Sequence, residues 1–282
     1  MPGLVAGFAA TALGAQPPTA TPGAALPSPA PADARWLVDE SGLTCSMGRA
    51  VAAGPVSLLI QTYPGSGSYD LSLVLPQWHE RPRMFPEPAV LSFAPDGGSL
   101  EHEAMFQPFP DKPGGMLRFL EMPAEFLDRF GQATSLRVTY GRREVGNYLV
   151  PQAGPVSRVF ADCEANKLVE WGANPAGFGP GTRRPRPIGD PNHWVVAADL
   201  PNFVRQPKNV TAAARLNLDA AGRIQQCTLI DPSGFAALDN LVCRLLRLRA
   251  RYEPARARDG NAVETVVVYR VHWISWVRFD LG

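Results

Sequence analysis

The stretch that most restricts the fold is VTAAARLNLDAAGRIQQCTLI, Val210 to Ile230. In its first part Val210, Ala212, Ala214, Leu216 and Leu218 alternate with more polar positions, so a period of two places them on one face of a strand. AAGR (Ala220–Arg223) supplies a tight turn, and IQQCTLI (Ile224–Ile230) returns as the paired strand. DPSG then breaks the chain. In FAALDNLVCRLLRLR (Phe235–Arg249) the spacing becomes helical, through Leu238, Leu241, Val242, Leu245 and Leu248. After the loop YEPARARDG, AVETVVVYRVHWI (Ala262–Ile274) is a long β-branched strand. Hairpin, helix, strand predicts a three-stranded antiparallel sheet crossed by one helix, an α+β module over residues 193–282.

Upstream, residues 34–172 are expected to form a β-rich domain. VSLLIQTY (Val56–Tyr63), YDLSLVL (Tyr69–Leu75), AVLSFA (Ala89–Ala94) and SLRVTY (Ser135–Tyr140) are strand-like runs, separated by PGSGS, PDGG and DKPGG. Pro123–Ala133 and Val156–Gly172 show helical spacing, the second with Val159, Phe160, Cys163, Leu168 and Trp171 on its buried side. GANPAGFGPGTRRPRPIGDPN, spanning 173–192 with Gly172 before it, is the clearest boundary and is expected to be a solvated linker. No strand feeds its glycines and no Lys-Ser/Thr follows them, so it is no phosphate loop.

The N-terminal residues 1–15 carry an apolar run, Leu4 to Ala15, of signal-peptide length and too short to span a bilayer. The expectation is a signal peptide whose basic start is missing, since no Lys or Arg precedes Arg35. QPPTATPGAALPSPAPAD, residues 16–33, follows as a Pro/Ala-rich tether that cannot build a core and extends to roughly 50–60 Å. An exported chain can oxidise its cysteines, and there are four: Cys45, Cys163, Cys227 and Cys243. Of the three possible pairings, Cys45–Cys163 with Cys227–Cys243 keeps each bridge within one domain. Net charge is +1, which gives no overall pull toward nucleic acid.

Few residues suggest chemistry. His79, His102, His193 and His272 are scattered, so no metal set forms in sequence, and Glu101–Glu103 reads as a surface strand. Ser233 lacks the flanking glycines of a nucleophile elbow. Asp231 or Ser233 is expected to cap the following helix, and Asp239 to be structural. Arg244, Arg247, Arg249, Arg251, Arg256 and Arg258 read as a solvated helix face and its sequel, with contact to acidic envelope partners as the alternative. No cofactor is expected.

The C-terminal pattern resembles the TonB C-terminal domain family. The matching residues are LNLDAAGRI (Leu216–Ile224), DPSGFAALD (Asp231–Asp239), RYEPARARDGNAV (Arg251–Val263) and DLP (Asp199–Pro201). Cys227 and Cys243 resemble the pair of a periplasmic branch of that family. The resemblance implies a Gram-negative periplasmic protein that binds envelope partners, with outer-membrane transporters as the partner class. The implied partner-binding edge is the last strand, residues Glu264, Thr265, Val266, Val267, Val268, Tyr269, Arg270 and Val271. An energy-transducing TonB keeps an N-terminal membrane helix and a long charged Pro-rich linker. Here the N-terminal segment is signal-like and a β-rich domain intervenes. Two rival readings are an exported enzyme with a site around Asp70, His79 and Glu80, and a structural envelope protein whose sheet edge is capped by its own chain.

Overall fold

A computed structural model describes residues 35–51, 56–80, 85–199 and 210–273. The signal-like segment, the tether, the Leu200 and Pro201 of DLP, and Ile274 lie outside the described residues.

Among these residues the N-terminal unit is one antiparallel sheet of nine strands carrying two helices. The strands are β1 (Leu37–Asp39), β2 (Cys45–Val51), β3 (Val56–Thr62), β4 (Ser68–Leu75), β5 (Glu87–Ala94), β6 (Gly98–Pro108), β7 (Gly115–Pro123), β8 (Ser135–Tyr140) and β9 (Arg143–Leu149). Their spatial order is β1-β2-β3-β4-β7-β6-β5-β8-β9, so β5–β6–β7 fold back between β4 and β8. Helices α1 (Glu125–Gln132) and α2 (Ala153–Glu170) pack on each other. Phe126, Phe130 and Phe160 are fully buried within the sheet's core cluster, and rings of Trp36, Tyr69 and Phe93 meet them. Alternation explains the short strands: β5 buries Ala89, Leu91 and Phe93 and half-exposes the residues between.

The second unit holds β11 (Val210–Leu218), β12 (Ile224–Asp231), α3 (Ala236–Arg249) and β16 (Thr265–Trp273), with β11 central in the order β12-β11-β16. Ala212, Ala214, Leu216 and Leu218 face Leu238, Val242 and Leu246 of α3 in one core cluster, as the alternation predicts. A register shift between Asn217 and Leu218 brings Ile224 to the same face as Cys227.

Two helix faces differ from the sequence reading. Val159 is 53% exposed and Leu248 66% exposed, and their expected places inside are taken by Val156 and Leu246. The helix α3 is not capped by Asp231 or Ser233. Instead the Asp239 carboxylate accepts from the Ser233 backbone N–H at 2.8 Å and from its hydroxyl at 2.7 Å, fastening the turn to the helix.

Residues 173–192 are an ordered strap. Asn174 and Asp190 side chains cap short 3-10 turns. Strand β10 (Arg186–Pro187) pairs with β13 (Tyr252–Glu253), and Arg183 bridges Arg256. The loop after α3 is closed by β14 (Ala255–Arg256) on β15 (Ala262–Val263). Its prolines and glycines concealed this, because two-residue strands leave no periodicity to detect.

Cys45 is joined to Cys163 and Cys227 to Cys243. The first ties β2 to α2 across a separation of 118 residues, the second ties β12 to α3 across 16. In the chain-entropy picture the longer loop stabilises by about 5 kcal/mol and the shorter by about 3 kcal/mol. Urea unfolding under oxidising conditions should therefore show C45A/C163A losing more stability than C227A/C243A. Equal losses, or the reverse order, would count against loop closure as the main contribution.

Candidate functional site

The open face of the three-stranded sheet, opposite α3, lies on the N-terminal unit. Val268 N–H donates to Gly65 O at 3.3 Å, which shows that the backbone groups of alternate β16 residues point away from β11. Asn174 N–H donates to Glu264 O at 3.1 Å on the same side. Val266 is 1% exposed and packs with Leu168 at the end of α2, beside Ala173, Trp171 and Phe178. Asn217 donates to Trp171 O at 2.9 Å, and Arg215 lies over the Trp171 ring.

A dense polar cluster sits at this seam. Arg270 donates to both oxygens of Asp70, at 2.9 and 2.8 Å, and its guanidinium lies over the Tyr63 ring. Asp70 Oδ1 also accepts from the Glu121 backbone N–H at 2.9 Å. Glu121 occupies a bulge where β7 slips against β4 between Tyr69 and Leu71, and its φ is +56°. A left-handed conformation in a residue with a side chain is strained, and bulges re-aim side chains. Here Glu121 is aimed at His272, whose Nε2 stands 3.1 Å from its Oε1. Burial opposes charge on Glu121, but the bond to His272 and the charges of His272 and Arg270 outweigh it and hold the carboxyl below its usual range. Tyr63 closes the cluster by donating to Asp231 at the end of β12. Burial and that bond push its hydroxyl above the usual tyrosine range.

Gly65 is a point of close backbone approach. Its φ is +83°, and a Cβ there would stand 2.9 Å from Leu168 Cδ2 and 3.0 Å from Val266 O. The turn PGSGS needs glycine at that place both for the conformation and for the contact.

A groove of about 410 Å³ follows the seam. Six consecutive residues of β16, Thr265 to Arg270, line it, so it tracks the strand's edge rather than one face. Facing them are the Gly65–Ser68 turn and the strap, with Trp194 and Tyr252 in edge contact at 5.2 Å. Tyr269 donates to Pro191 O at 2.7 Å, and burial pushes its hydroxyl up to about 12.

Behind the groove Glu164 is 1% exposed, on the buried arc of α2. Arg184 of the strap reaches it at 3.2 Å. Burial raises the Glu164 carboxyl above its usual range, and Arg184, Thr62 and Tyr69 only partly offset that. The sequence did carry a signal for it: an acid at i+4 from Phe160 and beside Cys163 interrupts an apolar helical stripe. Glu121 and Tyr63 carried none, because their partners come from the other unit.

Of the residues named from sequence, Asp70, Thr265 to Arg270 and Glu264 meet at the seam. His79 and Glu80 do not. Asp70 is in β4, His79 lies beyond its other end, and the five residue steps from Asp70 to Leu75 span roughly 17 Å. His79 is 3.0 Å from Gln77 O, and Glu80 pairs with Arg143 at 2.8 Å. Among the described residues no three His, Cys, Asp or Glu converge as a metal set, and no helix is long and apolar enough to cross a membrane. No family model, curated protein or solved structure matches the chain.

The burial of the Glu164 carboxyl makes stability depend on pH. Unfolded, the carboxyl ionises near its ordinary pKa of about 4.3, whereas the folded state resists ionisation until higher pH. Native stability from this group is therefore lost as pH rises through that interval. The melting temperature of E164Q relative to the parent should increase between about pH 4 and about pH 7. A flat or falling difference would show that Arg184 fully compensates the burial.

Proposed function

We propose that this is a non-enzymatic, exported cell-envelope protein that holds an extended segment of a partner protein along the edge of β16. The observation that carries the reading is the groove bounded by Thr265 to Arg270, because it opens onto a strand edge rather than onto convergent catalytic groups. Alternate backbone groups of that edge, at Val266 and Arg270, face away from β11, and main-chain pairing needs only such groups. The aromatic wall of Trp194 and Tyr252 offers apolar contact to alternate side chains of the bound segment. The two disulfides favour an oxidising compartment, which in a Gram-negative bacterium is the periplasm. The resemblance of Leu216–Val263 to the TonB C-terminal domain family makes outer-membrane transporters the first partner class to try.

One observation favours a second reading. Gly65 O and Asn174 N–H already engage Val268 and Glu264, so the chain caps part of its own edge. On that reading the seam is structural and no segment is added.

Gly65→Ala separates the two. A methyl group there crowds Val266 O and Leu168, loosening the turn from the strand. Titrating the full chain with N-terminal peptides of the organism's outer-membrane transporters should reveal binding. G65A should tighten it severalfold, and V266P, which deletes an outward N–H, should abolish it. A folded G65A that binds no peptide would refute the peptide reading and leave the structural one.

A further inference from the structure

We propose that the arginine-bearing face formed by the strap and the 251–258 loop docks this protein on a bilayer surface carrying anionic phospholipid headgroups. The inference is independent of what the β16 groove binds.

Two arginine-rich segments far apart in sequence are brought side by side. Arg183 and Arg256 exchange backbone hydrogen bonds, both at 2.9 Å, and Ile188 N–H donates to Arg251 O at 2.8 Å. Arg186 lies opposite Glu253 in the β10–β13 register. Arg183, Arg186, Arg251, Arg256 and Arg258 are all exposed. The acids on these two segments and their immediate end are Asp190, Glu253 and Asp259; Asp190 accepts from the Asn192 backbone N–H and stands 3.6 Å from His193, and Asp259 accepts from the backbone and side chain of Asn261. Among the described residues none of the five arginines forms an ion pair. Among the described residues the side chains of Arg251 and Arg256 bond only to backbone carbonyls, of Ala250 and Gly260. Arg184 alone is committed elsewhere, to Glu164.

Like charges directly opposite each other weaken a strand pair, yet Arg183 and Arg256 are held so by their own backbones. An anion between them removes that repulsion. Guanidinium groups match the phosphoryl oxygens of a headgroup in bidentate geometry.

The neighbouring apolar side chains choose the source of the phosphoryl group. Ile188 is 54% exposed and Leu248 66% exposed. Ile188 is bonded to Arg251, and Leu248 precedes Arg251 by three residues, within about 11 Å along the chain. Exposed aliphatic side chains flanked by arginines suit the headgroup–acyl boundary. An acidic peptide or a free phosphate would use the arginines and leave both aliphatic groups in water.

The test is flotation of the full oxidised chain with vesicles of phosphatidylcholine alone, or of phosphatidylcholine and phosphatidylglycerol in equal parts. Binding should appear only with phosphatidylglycerol and should weaken with salt. R183A/R256A should lower partitioning by tenfold or more, at about fivefold per arginine. I188S/L248S should lower it severalfold. Melting temperature is the folding control, and R186A/R258A serves if the first pair fails to fold. Equal binding to neutral vesicles, no binding, or indifference to the arginine changes would overturn the proposal. Indifference to I188S/L248S, or full displacement by inorganic phosphate or polyglutamate, would also overturn it, by showing a simple polyanion site.

Discussion

The paired hydrogen bonds from Arg270 to Asp70 are the contact on which the arrangement of the two units rests. Both groups are largely buried, with side chains 6% and 15% exposed, so removing either one would strand a buried charge without a partner. Arg270 sits on the outward face of β16, and Asp70 in β4 is backed by the strained Glu121 bulge. Around this pair the other seam contacts fall into place: Tyr63 on Asp231, Glu121 on His272, and Gly65 against Val268. Such a seam, mostly polar with one small apolar patch at Leu168 and Val266, is the kind that fixes orientation more than it adds stability.

This docking changes what the last strand can do. A bare sheet edge would accept an extended segment along its whole length. Here β16 is an edge strand of its own sheet, yet the PGSGS turn and Asn174 touch its outer side. What remains open is a groove between strand, turn and strap. Any segment that binds there must fit the gap or shift Gly65, so affinity for a partner and attachment between the units are linked.

Much of the fold was legible because burial imposes periodicity. Ala212 to Leu218 alternates, β5 and β8 alternate, and Leu238, Val242 and Leu246 recur at helical spacing. Strand β6 was harder, since its exposed residues include Glu101 and Glu103 and only Leu100, Ala104 and Phe106 mark the inner side. Strand β9 carries Gly146 and a register shift against β8, which erase the pattern. The strap was hidden by its prolines. Of the site, Asp70 and Arg270 each stood out in sequence for a different reason, but nothing local joins residues that far apart. Glu121 owes its place to a bulge, and bulges leave no compositional mark.

A double-mutant cycle on Asp70 and Arg270 tests the central claim most directly. Urea unfolding of D70N, R270Q and the double variant gives the coupling between the two side chains. The docked arrangement predicts a coupling of about 2 kcal/mol or more, because either single change strands a buried polar partner. A coupling below about 0.5 kcal/mol, the level of an exposed pair, would mean that the two units are not joined through this contact.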